Sequence, residues 1–208
     1  MDFAFLRQRS MLFGAIAVVI ALAVGYAAGA ILPSLRAPGD TSVEAGFARD
    51  MSTHHAQAVE MSMIAYPKAT NPEVKTSAYN IALGQQAEIG VMQTWLKDWH
   101  LLPTGTQPKM AWMPDGQRTL VDGLMPGMAT DAELQQLTNA TGKQLDILFC
   151  QLMLRHHLGG IHMIDGLLAE THDAQVSTVA ETMKRNQQAE IDVFRETLTQ
   201  LGAQPLGS

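Results

Sequence analysis

The chain has 208 residues, of which 47% are hydrophobic and 16% are charged, and it contains 13 Met and a single Cys. One thiol excludes a scaffold built on intramolecular disulfides. A formal charge of −6 without any basic run argues against nucleic-acid binding. The hydrophobic content is high enough to bury a core, so a disordered chain is excluded and one domain of ordinary size is expected.

The N-terminal segment is predicted to be a membrane anchor. Residues 11–32 form an apolar stretch of 22 residues without a charge, which is long enough to cross a bilayer as a helix. Arg7 and Arg9 precede it, so we expect residues 1–10 to be cytoplasmic and the rest to lie outside the cytoplasm, on a single-pass protein of the cytoplasmic membrane. An N-terminal helix that is cleaved as a signal peptide at an A-x-A-like site, residues 28–30, is the alternative; the protein is then secreted.

Beyond a tether at residues 33–43, the chain repeats itself at an offset of 102 residues. MSTHHAQAVEM at 51–61 returns as MLRHHLGGIHM at 153–163, and a QQAEI stretch follows each copy at the same offset. Two separate motifs that share one offset predict a duplicated helical hairpin. The domain at residues 44–201 is thus divided into repeat 1, a crossover and repeat 2, at residues 44–100, 101–130 and 131–201.

Hydrophobic periodicity and capping residues predict four long helices, at residues 42–66, 72–100, 131–170 and 173–201. Thr41 with Glu44 and Thr130 with Glu133 have the spacing of capping boxes, and Gly142 is expected to break or kink the third helix near its start. No sustained strand pattern occurs. The sequence therefore predicts an all-α, antiparallel four-helix bundle preceded by a transmembrane helix.

The crossover is unusual because residues 101–129 contain four Pro and four Gly. A connection of that length is usually functional or passes over the surface of the bundle. It holds several Met residues, which could recruit metal or partner proteins or could only pack the segment down. The sequence leaves the role of the crossover open.

The coiled-coil seam of each predicted helix carries polar or thioether groups where Leu or Ile is usual. Imidazole binds copper, zinc, iron and nickel, whereas thioether sulfur selects soft ions, above all Cu(I). Copper, with Cu(I) favoured, is therefore expected ahead of iron or manganese. The candidate metal ligands are Met51, His54, His55, Met61, Glu88, Met153, His156, His157, Met163 and Glu190.

The roles within this set differ. If the hairpin turns are centred as predicted, Met51 faces Glu88 and Met153 faces Glu190. The two Glu residues could ligate a metal or could accept a hydrogen bond from a ligating imidazole. The second His of each pair lies about 100° around its helix from the first, so it could serve a second site, support the first, or face solvent.

Four other residues have simpler or separate roles to consider. Cys150 lies off the seam and is expected to be a buried, inert thiol. His162 also lies off the seam and is expected to face solvent. Glu44 is expected to be mainly a capping residue, whereas the inward position of Asp146 favours a functional role.

The paired motifs resemble the bacterial domain-of-unknown-function family 305. The LMPGMAT run at residues 124–130 and the spacing from Gly142 to Asp146 are also similar to that family, and the resemblance covers roughly residues 44–200. It implies a ferritin-like four-helix fold, export or membrane anchoring and, for some members, copper binding linked to metal tolerance. By position, the His-His motifs and their Met residues fall on the candidate metal ligands. Gly160 departs from the family pattern, which usually has Ala there.

Three functions follow as hypotheses. The first is a membrane-anchored, extracytoplasmic copper-binding protein that sequesters the ion or exchanges it with a donor or acceptor protein. A ferritin-like redox enzyme with two iron or manganese ions is the second, and a metal-free structural or interaction bundle is the third. No nucleophile–base arrangement, phosphate-binding loop or dinucleotide fingerprint occurs, so hydrolase and nucleotide-dependent functions have no support. We expect no catalytic residues and a binding protein, with the redox enzyme as the alternative.

Overall fold

The computed structural model describes residues 17–26 and 37–206. Residues 17–26 are helical, and the rest of the predicted transmembrane segment 11–32 lies outside the described residues. No described helix is both long enough and apolar enough to cross a membrane. Contacts divide the chain into two units between Pro38 and Gly39.

The second unit, which begins at Gly39, contains four long helices and two short ones. Two hairpins, α1–α2 and α4–α5, are packed together mainly through α1 and α4. The described residues contain no strand beyond one isolated bridge between Val121 and Leu124, which confirms the predicted all-helical class. The elements are α1 (Val43–Ala65), α2 (Pro72–Asp98), a 3₁₀ helix (Gly116–Thr119), α3 (Asp131–Asn139), α4 (Gly142–Glu170) and α5 (Ala174–Gln200).

The helix ends follow the sequence with one correction. The Thr130–Glu133 capping box is present, but α1 is capped by the Ser42 side chain instead of Thr41. The expected break near Gly142 is present and divides the predicted third helix into α3 and α4, because the chain leaves helical geometry after Asn139. Gly142 opens α4 with a φ of +57°, a conformation that costs a glycine little.

Two acidic residues at equivalent positions join the ends of the hairpins. Asp146, near the start of α4, accepts hydrogen bonds from the backbone and hydroxyl of Thr70 and from the backbone of Asn71, in the α1–α2 turn. Glu44, near the start of α1, accepts one from the Thr171 hydroxyl just after α4. Helices α1 and α4 therefore run antiparallel. These contacts correct the sequence-based expectation for both residues: Asp146 holds a turn, and Glu44 acts on the opposite hairpin.

The core consists of two apolar clusters, and each contains Met residues from both α1 and α4. Met51 and Met163 belong to one cluster, and Met61 and Met153 belong to the other. Each cluster therefore combines the first motif Met of one repeat with the last motif Met of the other, as an antiparallel pair of helices requires. The His-His pairs lie between the clusters along both helices, so the fold places imidazoles at its centre.

Candidate metal centre

The first His of each repeat meets the other at the centre of the bundle. The rings of His54 and His156 have centroids 3.8 Å apart with an interplanar angle of 34°. Their side chains come from equivalent positions on α1 and α4, and they are 0% and 1% exposed. The duplicated sequence therefore builds one shared site at the contact between the two repeats.

Most of the nitrogen atoms in this pair lack a hydrogen-bond partner. Within the described part of the chain, neither nitrogen of His156 makes a well-aligned hydrogen bond, although its ring approaches the backbone of His54, and Nδ1 of His54 has no partner. The fourth nitrogen, Nε2 of His54, lies 3.0 Å from the carbonyl oxygen of Pro126 in the crossover. A buried polar atom without a partner costs free energy. Three such atoms in one pair of side chains are therefore candidates to bind a ligand.

Burial keeps the central imidazoles neutral. It lowers the pKa of His54 to about 3, an effect that the Pro126 hydrogen bond only partly opposes. It also lowers the pKa of His156 well below its usual range; the neighbouring imidazole of His54 adds to the effect, and a contact with the backbone of His54 opposes it only slightly. A neutral imidazole offers the lone pair that a metal ion requires, so both side chains are in the ligating state at neutral pH.

The second His of each repeat is buried and bonded to a glutamate. Nε2 of His55 lies 2.8 Å from Glu88, and Nε2 of His157 lies 2.6 Å from Glu190. An ionised carboxylate only accepts hydrogen bonds, so Nε2 is the protonated nitrogen in both rings. The solvent-facing alternative for His55 and His157 is wrong, and each glutamate accepts a hydrogen bond from an imidazole, which is one of the two roles expected for it.

The four imidazoles lie close together in the bundle. The centroids of His54 and His55 are 6.5 Å apart, and those of His156 and His157 are 6.2 Å apart. His54 and His156 are the pair in direct contact, and each of the other two rings is bonded to a glutamate. A glutamate that accepts a hydrogen bond from an imidazole orients the ring and raises its basicity as a ligand.

Buried Met residues flank the central histidines along α1 and α4. All four motif Met residues are 0% exposed, and each lies three residues before or seven residues after the central His of its own helix. No group of three His, Cys, Asp or Glu side chains placed to hold a metal ion occurs among the described residues. The candidate ligands that the fold offers are therefore two central imidazoles, with buried thioethers on the same two helices: Met51, Met61, Met153 and Met163.

Two buried carboxamides distinguish the repeats further. Gln85 and Gln187 occupy equivalent positions, and among the described atoms Oε1 of Gln85 and both polar atoms of Gln187 lack partners. Gln187 reaches into the space that a Cβ atom on Gly160 would occupy. The equivalent residue in repeat 1 is Ala58. Because Gly160 has no Cβ, the Gln187 carboxamide fits against α4 close in sequence to His156 and His157.

Cys150 does not contribute a soft ligand. It is fully buried and free. Burial raises the pKa of its thiol to about 12, with a smaller contribution from the charge of Asp146, so the thiolate that binds metal is not formed near neutral pH. The exposed position of His162 is also as the sequence predicts.

The sequence did not predict the carbonyl of Pro126 at the centre of the site. Every residue has a backbone oxygen, so residue type does not reveal which one makes a contact. The LMPGMAT run drew attention to this segment but did not predict its contact with His54. The sequence also did not predict that Gln57 would bind the same segment. Its side chain makes hydrogen bonds to both the backbone nitrogen and the carbonyl oxygen of Ala129.

Comparison with solved structures places this site in a known fold. A DUF305 protein from Streptomyces coelicolor that is thought to be secreted is 39% identical, with a TM-score of 0.75, over 82% of this chain and 100% of that chain. A DUF305 fragment from Deinococcus radiodurans is 26% identical, with a TM-score of 0.63, over 76% and 96% of the two chains.

A third similar protein was solved with copper. CopM in the Cu(II)-bound form is 28% identical, with a TM-score of 0.59, over 76% of this chain and 97% of that chain. Its Cu(I)-bound form is 26% identical, with a TM-score of 0.58, over 78% and 97%. No curated protein matches the chain. The family model for DUF305, a domain of unknown function, matches residues 44–198, and the chain belongs to that family.

Proposed function

We propose that this chain is an extracytoplasmic copper-binding protein that sequesters Cu(I) or passes it to another protein. The observation that carries the proposal is the buried contact between His54 and His156, where three of the four ring nitrogens have no partner among the described residues. CopM, which is 26–28% identical, has copper-bound forms and supports the same metal.

The chemistry of the donors favours Cu(I) over harder ions. Neutral imidazole nitrogen and thioether sulfur suit Cu(I), whereas iron and manganese centres in helical bundles use several carboxylates. The nearest carboxylates, Glu88 and Glu190, are already hydrogen-bonded to imidazoles. Their contribution is to orient His55 and His157 beside the central pair.

A competition titration with Cu(I) on the full chain, purified in detergent, tests the proposal. The double variant His54→Ala/His156→Ala is expected to lose the tight site, because it removes the central nitrogen donors. His162→Ala is the matched control, since His162 lies on the same helix and is exposed. Wild-type affinity and stoichiometry in the double variant would show that the site is elsewhere.

The sulfur donors are tested separately. Met51 and Met163 share one side of the core, so the double variant Met51→Leu/Met163→Leu, which keeps volume, is expected to weaken Cu(I) binding by about tenfold or more, which is roughly 1.4 kcal/mol. Met63→Leu is the control because Met63 is 59% exposed. An unchanged affinity in the double variant would restrict the site to nitrogen ligands.

We propose a binding role and not catalysis. A two-metal redox enzyme requires a carboxylate-rich site, and here both central donors are imidazoles. Two iron or manganese ions per chain with turnover of oxygen or peroxide would reverse this assignment. A melting temperature that does not change when copper is added would favour a metal-free structural bundle, because a ligand that binds only the folded state raises the melting temperature.

We also propose that residues 11–32 hold the domain at the outer face of the cytoplasmic membrane. The 22-residue apolar stretch after Arg7 and Arg9 supports this, and the Streptomyces coelicolor protein that is thought to be secreted is consistent with export. In a cell fractionation, the domain should sediment with membranes. In a separate experiment, protease added to intact spheroplasts should digest it. An N-terminus mapped after residue 30 in the mature protein would instead show a cleaved signal peptide.

A further inference from the structure

A segment of the crossover is attached across the central histidines, and we name residues 124–130 the strap. Its Pro126 carbonyl contacts His54 on α1. Gln57, one turn further along α1, makes two hydrogen bonds to the backbone of Ala129. Arg155 on α4 donates to the carbonyl oxygen of Met128, at 3.4 Å. The strap is therefore bound to both helices that carry the His-His pairs.

The strap lies directly against the backbone of α4. A Cβ atom on Gly159 would overlap the carbonyl of Pro126, and one on Gly127 would overlap the carbonyl of Arg155. Gly127 also has a φ of +77°, which favours glycine. The equivalent of Gly159 in repeat 1 is Gln57. At this pair of equivalent positions, repeat 1 binds the strap with the Gln57 side chain, and repeat 2 has Gly159, which leaves room for the strap's backbone.

The contact determines which nitrogen of His54 carries the hydrogen. A carbonyl oxygen only accepts hydrogen bonds, so Nε2 of the neutral ring is the donor and Nδ1 keeps its lone pair. The constraint on His156 is weaker: its ring approaches the backbone of His54, but neither of its nitrogens makes a well-aligned hydrogen bond in the described part of the chain. The crossover occurs once between the two repeats, so it makes this contact with only one of the two equivalent histidines.

We propose that the strap makes the two central histidines unequal: it fixes His54 as an Nδ1 ligand for a soft metal ion and leaves His156 as the exchangeable ligand that can turn and release the ion. Gly159 is then a positioning residue, because it admits the carbonyl that orients His54. This inference rests on the proposed copper site but concerns a property of the metal-free protein as well.

The tautomer is read directly from ¹⁵N-labelled imidazoles in the metal-free full chain at neutral pH. A long-range ¹H–¹⁵N spectrum is expected to show an unprotonated Nδ1 and a protonated Nε2 for His54, with signals assigned by their loss in His54→Ala. For His156 we expect averaging between the two tautomers. A His54 ring protonated on Nδ1, or a single fixed tautomer for His156, would overturn the proposal.

Gly159→Ala tests the role of the strap. Displacement of the Pro126 carbonyl is expected to remove the fixed tautomer of His54 and to lower Cu(I) affinity by about tenfold or more, the usual effect of losing a group that orients a ligand. Gly166→Ala is the matched control, because the three atoms nearest to its Cβ would all belong to the flexible Met113 side chain. A Gly159→Ala spectrum identical to the wild type would contradict the proposal.

Two further variants keep the test decisive. If Gly159→Ala does not fold, Gln57→Leu loosens the strap at Ala129 without a clash and should also release the His54 tautomer. Pro126→Ala keeps the carbonyl and should preserve the tautomer. Absence of Cu(I) binding in the wild type would refute the proposed function alone, since the tautomers are read without metal.

Discussion

Repeat 1 and repeat 2 bring equivalent side chains to the centre of the bundle, but the surroundings of those side chains differ. His54 is bonded to the backbone of the strap, whereas His156 has no partner among the described residues. Gln187 extends over Gly160, where repeat 1 has Ala58. The duplication supplies the ligands, and the connection between the copies makes them unequal.

The hairpin turns differ in the same way. Asp146 of repeat 2 is 1% exposed and accepts three hydrogen bonds from the turn of repeat 1. Its counterpart Glu44 is only partly buried and accepts one. Equivalent positions can therefore carry unequal shares of the stability, and this inequality can be measured.

The largest expected effect is at Asp146. Asp146→Ala leaves two backbone N–H groups and one hydroxyl without their acceptor, so we expect the free energy of unfolding to fall by about 3 kcal/mol. Glu44→Ala removes one partly exposed hydrogen bond and should cost about 1 kcal/mol. Urea denaturation followed by tryptophan fluorescence measures both, and equal losses would show that the two ends are equivalent after all.

The next effect belongs to α3, a helix of repeat 2 that binds Arg155. Two hydrogen bonds from Arg155 lower the pKa of Glu133 from its ordinary 4.5 to about 2. A carboxylate whose pKa is lower in the folded state stabilises the protein above the unfolded pKa and loses that effect as the pH falls. We expect a contribution of about 1–2 kcal/mol above pH 4.5, discounted for partial exposure, which disappears between pH 4.5 and 2.

Glu133→Gln checks this contribution. The variant should be less stable than the wild type at pH 7, and the difference should shrink to zero as urea denaturation is repeated down to pH 2. Glu181→Gln is a control, because its ion pair with Arg185 is 3.9 Å long and well exposed and should contribute little. A difference between wild type and Glu133→Gln that does not depend on pH would contradict the charged contact as its source.

The central histidines should respond to the same substitution in opposite directions. His156→Leu removes an imidazole whose two nitrogens lack partners in the described structure, so the metal-free protein should gain about 1 kcal/mol. His54→Leu takes the donor from the Pro126 carbonyl and should cost about 1 kcal/mol. Denaturation with a chelator present measures both changes, and a loss of stability in His156→Leu would mean that its ring is satisfied in solution.

Much of this arrangement was predictable from the sequence. The offset of 102 residues predicts the duplication, and the spacing of Met51, His54 and Met61 predicts that these side chains lie on an inward face. The helices and most caps follow from local rules that depend only on neighbouring residues. Asn71 and Asp173, for example, cap α2 and α5 through hydrogen bonds within one turn.

The rest depended on contacts between distant segments. The partner of Glu88 is His55, because the hairpin register is set by packing that spans 33 residues. The contact of Pro126 with His54 spans 72 residues and uses a backbone atom that every residue has. Periodicity places a side chain on a face of a helix, but it does not say which backbone crosses that face.

The smallest expected effect concerns the carboxamides. Gly160→Ala, which copies the residue of repeat 1, gains about 1 kcal/mol in helix propensity but displaces the Gln187 amide from its place. Because a flexible side chain can move, the two terms should nearly cancel, and the net change should stay within about 0.5 kcal/mol. Ala58→Gly removes a buried methyl group and helix propensity, so it should cost about 1 kcal/mol. Thermal denaturation of both variants measures the contrast. Equal and opposite changes would mean that Gln187 adapts without cost and that the glycine is not what separates the two repeats.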